Sequence, residues 1–237
     1  MKAVRTRSFL CALLLGAVAL STTGCLSGIK EPYSLEERIP VMEDSLSRTV
    51  RYADGFASDL CVVEDEGSFD ENYVTSEAAA LFDVSDRETL YSKEAFERLY
   101  PASITKVMTA LVAIKNGDLN ARVVVTDDAV ITESGATLCG IEPGDTLTLE
   151  QLLYGLMLPS GNDAGAAIAV HIAGSIDKFA DMMNQEAASL GATGTHFVNP
   201  HGLNDPDHYT TAYDLYLIFN EALKYPVFRQ IVGTTSY

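Results

Sequence analysis

Apolar residues recur at helical intervals in several separate segments of the chain. The first segment begins at Pro101, has apolar residues at three- and four-residue steps, and ends at Gly117; this spacing predicts a helix with one buried face. A capping box at residues 148–151 opens a second helix, which Pro159 ends. Further helices are predicted over residues 163–172, from Ser175 to Gly191, and from Thr211 through Leu223.

Strand patterns are shorter than the helical ones. Residues 78–84 and 89–91 flank a turn and predict a hairpin, and residues 58–63 are a candidate first strand. Residues 123–125 and 146–148 are predicted to be extended. Because several helices follow one another without β-α-β alternation, the pattern predicts an α+β fold.

The beginning of the chain differs in composition from the rest. Within residues 1–25, a basic start precedes an apolar run at 9–20 that is too short to span a bilayer comfortably. Small residues then lead to Cys25, which is typical of a secretory signal and is similar to a bacterial lipobox. We expect export with lipidation of Cys25; an uncleaved anchor and ordinary signal cleavage are the alternatives. Residues 26–57 are predicted to be a tether, and 58–237 the folded domain.

The charge balance excludes one class of partner. The 237 residues include 16 Lys and Arg against 33 Asp and Glu, for a formal net charge of −17. So acidic a surface is repelled by nucleic acid, and no basic patch suggests otherwise. The excess of carboxylates predicts a solvated, soluble surface and no nucleic-acid partner.

The chain has four cysteines. Cys11 lies in the predicted signal and Cys25 is the lipidation candidate. Outside the membrane, Cys61 and Cys139 can either pair as a disulfide or remain unpaired thiols. No pair of cysteines has the spacing of metal ligands, so no metal site is predicted from them.

Two short motifs carry candidate chemistry. Ser103 and Lys106 lie one helical turn apart, so a lysine amine of lowered pKa can remove the proton of the serine hydroxyl. Ser160 and Asn162 lie in a tight turn between two helices, where the hydroxyl can relay a proton and the amide can hold a substrate carbonyl and the lysine. The structural alternatives are a serine cap with an exposed lysine, and a turn in which Ser160 or Asn162 caps the next helix.

Together the motifs resemble those of a known enzyme group. S-x-x-K at 103–106 and S-x-N at 160–162 are similar to the first two motifs of the penicillin-recognising serine enzymes. The surrounding residues 100–111, 152–164 and 195–203 look like those of low-molecular-mass D-alanyl-D-alanine carboxypeptidases. The resemblance covers roughly residues 76–237.

The resemblance implies a fold and a reaction. The fold would be of the β-lactamase and penicillin-binding transpeptidase type, with a helical cluster packed on an antiparallel sheet. Ser103 would be the acylated nucleophile, Lys106 its base, Ser160 the proton relay to the departing D-alanine, and Asn162 the group that orients the substrate amide and the lysine. The substrate would be a peptidoglycan stem peptide ending in D-Ala-D-Ala, β-lactams would acylate the same serine, and no metal or cofactor would be needed. The resemblance and the signal together place the protein at the outer face of the cytoplasmic membrane.

One family motif is missing from the sequence. No Lys-Thr-Gly occurs anywhere in the 237 residues. In the family this motif lies on a strand that helps to recognise the substrate carboxylate and supplies the second oxyanion N–H. We therefore expect that the chain is truncated, with an incomplete sheet, and that it is inactive or poorly folded although its full-length parent is active.

Three other functions compete with this interpretation. A class A β-lactamase shares the two motifs but needs a glutamate-bearing loop, and the region of Asn199 has no E-x-x-x-N. A metallopeptidase would use His196, His201 and His208, but no H-E-x-x-H pattern is present. A lipoprotein that binds cell-wall peptides without cutting them is the third, although mere binding does not require a nucleophile at Ser103.

Overall fold

The computed structural model describes residues 58–63 and 74–237. The predicted signal, Cys25 and the predicted tether at 26–57 lie outside the described residues. The described elements, in chain order, are β1 (Ala79–Asp83), β2 (Glu88–Lys93), α1 (Thr105–Asn116), β3 (Arg122–Val124), β4 (Thr146–Thr148), α2 (Leu149–Met157), α3 (Asn162–Ala173), α4 (Ile176–Ser189), α5 (Ala212–Ala222) and α6 (Pro226–Val232).

Two helices form the centre of the domain. Helix α1 is buried continuously from Thr105 to Ala113, and α3 from Asn162 to Ala169. Helix α2 packs against α3, α5 packs against α1, and α4 packs against both central helices. Because α3 is rich in alanine, its neighbours approach its axis closely and leave little room for solvent.

The strands form two small antiparallel sheets. Strand β1 pairs with β2 with Ala79 opposite Lys93, and a register shift separates Leu81 from Phe82. Strand β3 pairs with β4 with Val123 opposite Leu147. The predicted hairpin, both predicted extended pieces and the α+β class are confirmed, and β1 packs against α5.

The helix ends follow local sequence signals. Thr148 and Gln151 form the predicted capping box at the start of α2. Ser175 caps α4 and Thr211 caps α5, each accepting a hydrogen bond from a backbone N–H of the first turn. Each of these side chains satisfies a donor that the helix itself cannot satisfy, which explains why these boundaries were predictable.

One predicted element is wrong, and one helix was not predicted. Residues 58–63 form a turn followed by a segment that belongs to no sheet. The backbone of Cys61 is hydrogen-bonded to two tyrosine hydroxyls and not to a neighbouring strand: the Tyr213 hydroxyl donates to the Cys61 carbonyl, and the Cys61 N–H donates to the Tyr216 hydroxyl. Residues 226–232 form a helix that was not predicted from the sequence. This helix begins at Pro226, a position that suits proline because the first helical N–H has no partner in the helix.

The disulfide alternative is also wrong. Both Cys61 and Cys139 are free thiols. The Cys61 Sγ lies 3.5 Å from the carbonyl oxygen of Asp83 in β1, whereas Cys139 packs beside Gly155 of α2. The two thiols are therefore held by different elements. Among the described residues, no helix is both long and apolar enough to cross a bilayer.

Candidate active site

Ser103 and Lys106 lie at the entry to the central helix α1. Ser103 sits in a 3-10 turn (Ala102–Ile104) directly before α1, and its side chain is exposed. Lys106, in the first turn of α1, is only 2% exposed. The chain therefore presents a hydroxyl to solvent above a buried amine, so the alternative of a solvent-facing lysine is wrong.

The Lys106 amine is held by three oxygen atoms. Its Nζ lies 2.8 Å from Asn162 Oδ1, 2.8 Å from the carbonyl oxygen of His201, and 3.3 Å from Ser103 Oγ. Burial lowers the pKa of Lys106 to about 8, and the negative charge of Asp163 opposes that shift. The amine is thus closer to losing its proton at neutral pH than an exposed lysine would be.

The turn between α2 and α3 holds Ser160 and Asn162. Ser160 has a left-handed backbone, with φ of 63°, and its hydroxyl is buried without a hydrogen-bond partner among the described residues. Gly161 is the residue before α3, and no side chain caps this helix. The cap alternative is therefore wrong, and a buried hydroxyl without a partner is typical of a functional group awaiting a ligand.

A loop at residues 199–203 supplies the third contact of Lys106. Asn199 closes the loop on itself, because its Oδ1 accepts from the N–H of His201 and of Gly202 and its Nδ2 donates to Leu203. Thr109 of α1 anchors the loop by donating to the carbonyl of Pro200 at 2.6 Å. The carbonyl of His201 is therefore held in place against the lysine.

Comparison with known proteins identifies the family. Residues 66–237 match the family described as D-alanyl-D-alanine carboxypeptidase. The chain belongs to the D-alanyl-D-alanine carboxypeptidase family. It is 37% identical over 163 residues to the D-alanyl-D-alanine carboxypeptidase DacF of Bacillus subtilis, and the matched region covers 67% of this chain and 42% of that protein. It is 45% identical over 138 residues to DacB2 of Mycobacterium tuberculosis, covering 57% of this chain and 46% of that protein. The chain thus spans less than half the length of these two relatives.

Solved structures of this family share the fold. A variant of the Streptomyces K15 DD-transpeptidase superposes with a TM-score of 0.66 at 33% identity, covering 69% of this chain and 67% of that one. The D-alanyl-D-alanine carboxypeptidase of Mycobacterium tuberculosis gives a TM-score of 0.64 at 38% identity, covering 68% and 61%. The predicted fold type, a helical cluster packed with antiparallel strands, is confirmed.

The three histidines of the metallopeptidase alternative have separate hydrogen-bond partners. His208 Nε2 lies 2.8 Å from Thr105 Oγ1, His196 Nδ1 lies 2.6 Å from the carbonyl oxygen of Asp207, and His201 Nδ1 accepts from the N–H of Leu203. No group of three potential metal ligands occurs in the part of the chain that the structure describes. The contacts of the histidines therefore give that alternative no support.

In this member of the family, hydrogen-bond contacts join three of the four predicted site residues. Lys106 contacts Ser103 and Asn162 directly. Ser160 lies two residues before Asn162, and its hydroxyl forms no hydrogen bond with any of these three residues. Sequence reasoning missed the carbonyl of His201, because any residue type supplies a carbonyl. The Asn-Pro-His-Gly-Leu run at 199–203 was the available signal, since asparagine, proline and glycine favour tight turns.

Proposed function

We propose that the protein is a serine-type D-Ala-D-Ala carboxypeptidase that forms an acyl-enzyme on Ser103. The observation that carries this proposal is the set of three oxygens around the Lys106 amine. When the amine is neutral, two N–H bonds satisfy Asn162 Oδ1 and the His201 carbonyl, and the lone pair is directed at Ser103 Oγ. The two carbonyl groups thus orient a base toward its nucleophile.

The proposed reaction has two stages. Lys106 accepts the Ser103 proton while Oγ attacks the carbonyl carbon of the penultimate D-alanine. The proton then passes through the hydroxyl of Ser160 to the nitrogen of the departing D-alanine, and the C–N bond breaks. Water hydrolyses the resulting ester and restores the Ser103 hydroxyl. The Asn162 side chain orients the substrate amide as well as the lysine.

We also propose a substrate and a location. The substrate is a peptidoglycan stem peptide ending in D-Ala-D-Ala, and β-lactams acylate Ser103 as substrate mimics. Family membership supports the substrate, because the relatives are named D-alanyl-D-alanine carboxypeptidases. Export by the signal at residues 1–25, with a lipid on Cys25, places the enzyme at the outer face of the cytoplasmic membrane, where this substrate is found.

A labelling experiment tests the proposed nucleophile. The purified protein and its Ser103→Ala variant are incubated with a fluorescent penicillin and, separately, with a peptide ending in D-Ala-D-Ala. The missing Lys-Thr-Gly predicts an inactive chain, but the contacts of the Lys106 amine with Ser103, Asn162 and His201 favour activity instead. We therefore expect a penicillin adduct on Ser103 and release of D-alanine, with both lost in the variant by a factor of about 10³ or more. Ser189→Ala, which removes an exposed serine of α4, is the matched control and should retain both.

Two results would overturn the proposal. Labelling and D-alanine release that persist in Ser103→Ala would remove the nucleophile from its role. Rapid hydrolysis of the penicillin without D-alanine release would assign the site to a β-lactamase.

A further inference from the structure

Asp163 is a buried carboxylate that the reaction described above does not use. It follows Asn162 in the first turn of α3 and is 2% exposed. Its Oδ1 accepts from the N–H of Cys139 at 2.9 Å, and its Oδ2 accepts from the N–H of Gly140 at 2.8 Å and of Ile141 at 3.3 Å. The N–H of its own neighbour in α3 donates to Oδ1 as well, at 2.9 Å. One side chain therefore satisfies four backbone donors.

These hydrogen bonds fasten a loop onto the start of α3. The same loop is fastened a second time, because the N–H of Asn162 donates to the carbonyl of Thr137 at 2.7 Å. The junction is also tightly packed: a Cβ at Gly161 would lie 2.8 Å from Asp163 Oδ1 and 2.9 Å from Cys139 Cβ. Residues 137–141 and the helix start thus form one packed unit that includes Asn162.

The Asp163 carboxylate is charged under ordinary conditions. Burial alone would raise the pKa of Asp163, but the hydrogen bonds from Cys139, Gly140 and Ala164 outweigh it and hold the pKa below its usual value. A carboxylate at a helix N-terminus is also favoured by the helix dipole. Its charge acts on Lys106, whose amine faces the Ser103 hydroxyl, the Asn162 amide, and the carbonyl and neutral ring of His201.

We propose that Asp163 is a positioning residue: its carboxylate clamps residues 139–141 to the start of α3 and thereby holds Asn162 against Lys106. Asn162 can accept from the lysine at 2.8 Å only while its own backbone is held in place. This inference rests on the proposed function, because the position of Asn162 matters for the reaction only if Lys106 is the base that activates Ser103. The clamp itself can be measured without any activity.

The test compares Asp163→Asn with Asp177→Asn. Both residues lie in the first turn of a helix, but Asp177 is exposed. An asparagine amide cannot accept at the position where its NH2 stands, so at least one buried N–H loses its partner. The backbone amides of residues 139–141, followed by hydrogen exchange and peptide mass spectrometry, should exchange about tenfold faster in Asp163→Asn and at the wild-type rate in Asp177→Asn.

A second readout reports on the lysine. The rate of penicillin acylation should fall about 10- to 100-fold in Asp163→Asn, because the catalytic amide is misplaced. The acidic limb of the pH–rate profile should also move to lower pH, since the loss of a nearby negative charge lowers the pKa of Lys106 further. A purely structural role would lower the rate without moving that limb.

The outcomes separate the clamp from the proposed function. A wild-type protein that penicillin does not acylate refutes the proposed function, whereas hydrogen exchange of residues 139–141 still tests the clamp. An unchanged exchange rate of these amides in folded Asp163→Asn, or an unchanged acylation rate and limb, overturns the positioning role. If that variant does not fold, hydrogen exchange on the wild-type protein decides: the amides of residues 139–141 should be as protected as those of α3, and rapid exchange there would overturn the clamp.

Discussion

At the scale of single residues, Lys106 combines two properties that usually exclude each other. The amine is buried deeply enough to lower its pKa to about 8, yet two carbonyl oxygens at 2.8 Å still stabilise its charged form. A lysine with this pKa is neutral in roughly one molecule in ten at pH 7, against fewer than one in a thousand for an exposed lysine. The site therefore holds a usable base without leaving a buried charge unpaired.

Gly202 allows the loop beneath the lysine to approach the 3-10 turn that holds Ser103. Its φ is +83°, and a Cβ there would overlap the carbonyl of Ala102. We expect Gly202→Ala to lower the free energy of unfolding by about 2 kcal/mol and to slow penicillin acylation, because Ala102 must move and Ser103 with it.

Gly174 provides the matched control for this substitution. It has a similar φ of +81°, but nothing lies within 4 Å of its added Cβ. Gly174→Ala should therefore cost about 1 kcal/mol in urea unfolding and leave acylation unchanged. Equal acylation rates in the two variants would show that the contact with Ala102 does not position the nucleophile.

The chemical groups of the site were predictable from the sequence, and their surroundings were not. Ser103, Lys106, Ser160 and Asn162 stand in two motifs that together resemble those of one enzyme group. The carbonyl of His201 and the clamp on Asp163 depend on backbone groups from distant loops, and no residue type marks a backbone group. Only the three-dimensional fold brings these groups together.

At the scale of elements, the predictable boundaries are those set by local chemistry. The capping box of α2 and the caps of α4 and α5 stand in the sequence itself. Residues 58–63 instead are held by hydrogen bonds between Cys61 and two tyrosine hydroxyls more than 150 residues away. Pro226 begins a helix, although proline is also common shortly after a helix end. These errors arise where tertiary contacts decide, or where one residue type fits two roles.

At the scale of the whole molecule, two buried histidines make stability depend on pH. Burial lowers the pKa of His201 and of His208 to about 4. Since the unfolded values are near 6.5, their contribution to stability is full above about pH 6.5 and is lost as pH falls toward 4. We expect the free energy of unfolding to fall by roughly 2–3 kcal/mol per histidine over this interval, as measured by urea unfolding from pH 7.5 to 4.5.

A pair of variants assigns that loss to its source. His208→Gln should be less stable than the wild type at pH 7.5, because the Thr105 contact is lost, but its stability should fall less steeply toward pH 4.5. His171→Gln, at an exposed position of α3, should keep the wild-type slope. An unchanged slope in His208→Gln would contradict the linkage.

If the amine of Lys106 is the base that activates Ser103, penicillin acylation must follow the protonation state of this lysine. The second-order rate should rise about tenfold per pH unit from pH 6 and level off above about 8, following deprotonation of the lysine. Lys106→Arg keeps the charge but cannot lose a proton, so it should abolish acylation. A rate that is flat between pH 6 and 9, or that levels off near pH 6.5, would exclude Lys106 as the base.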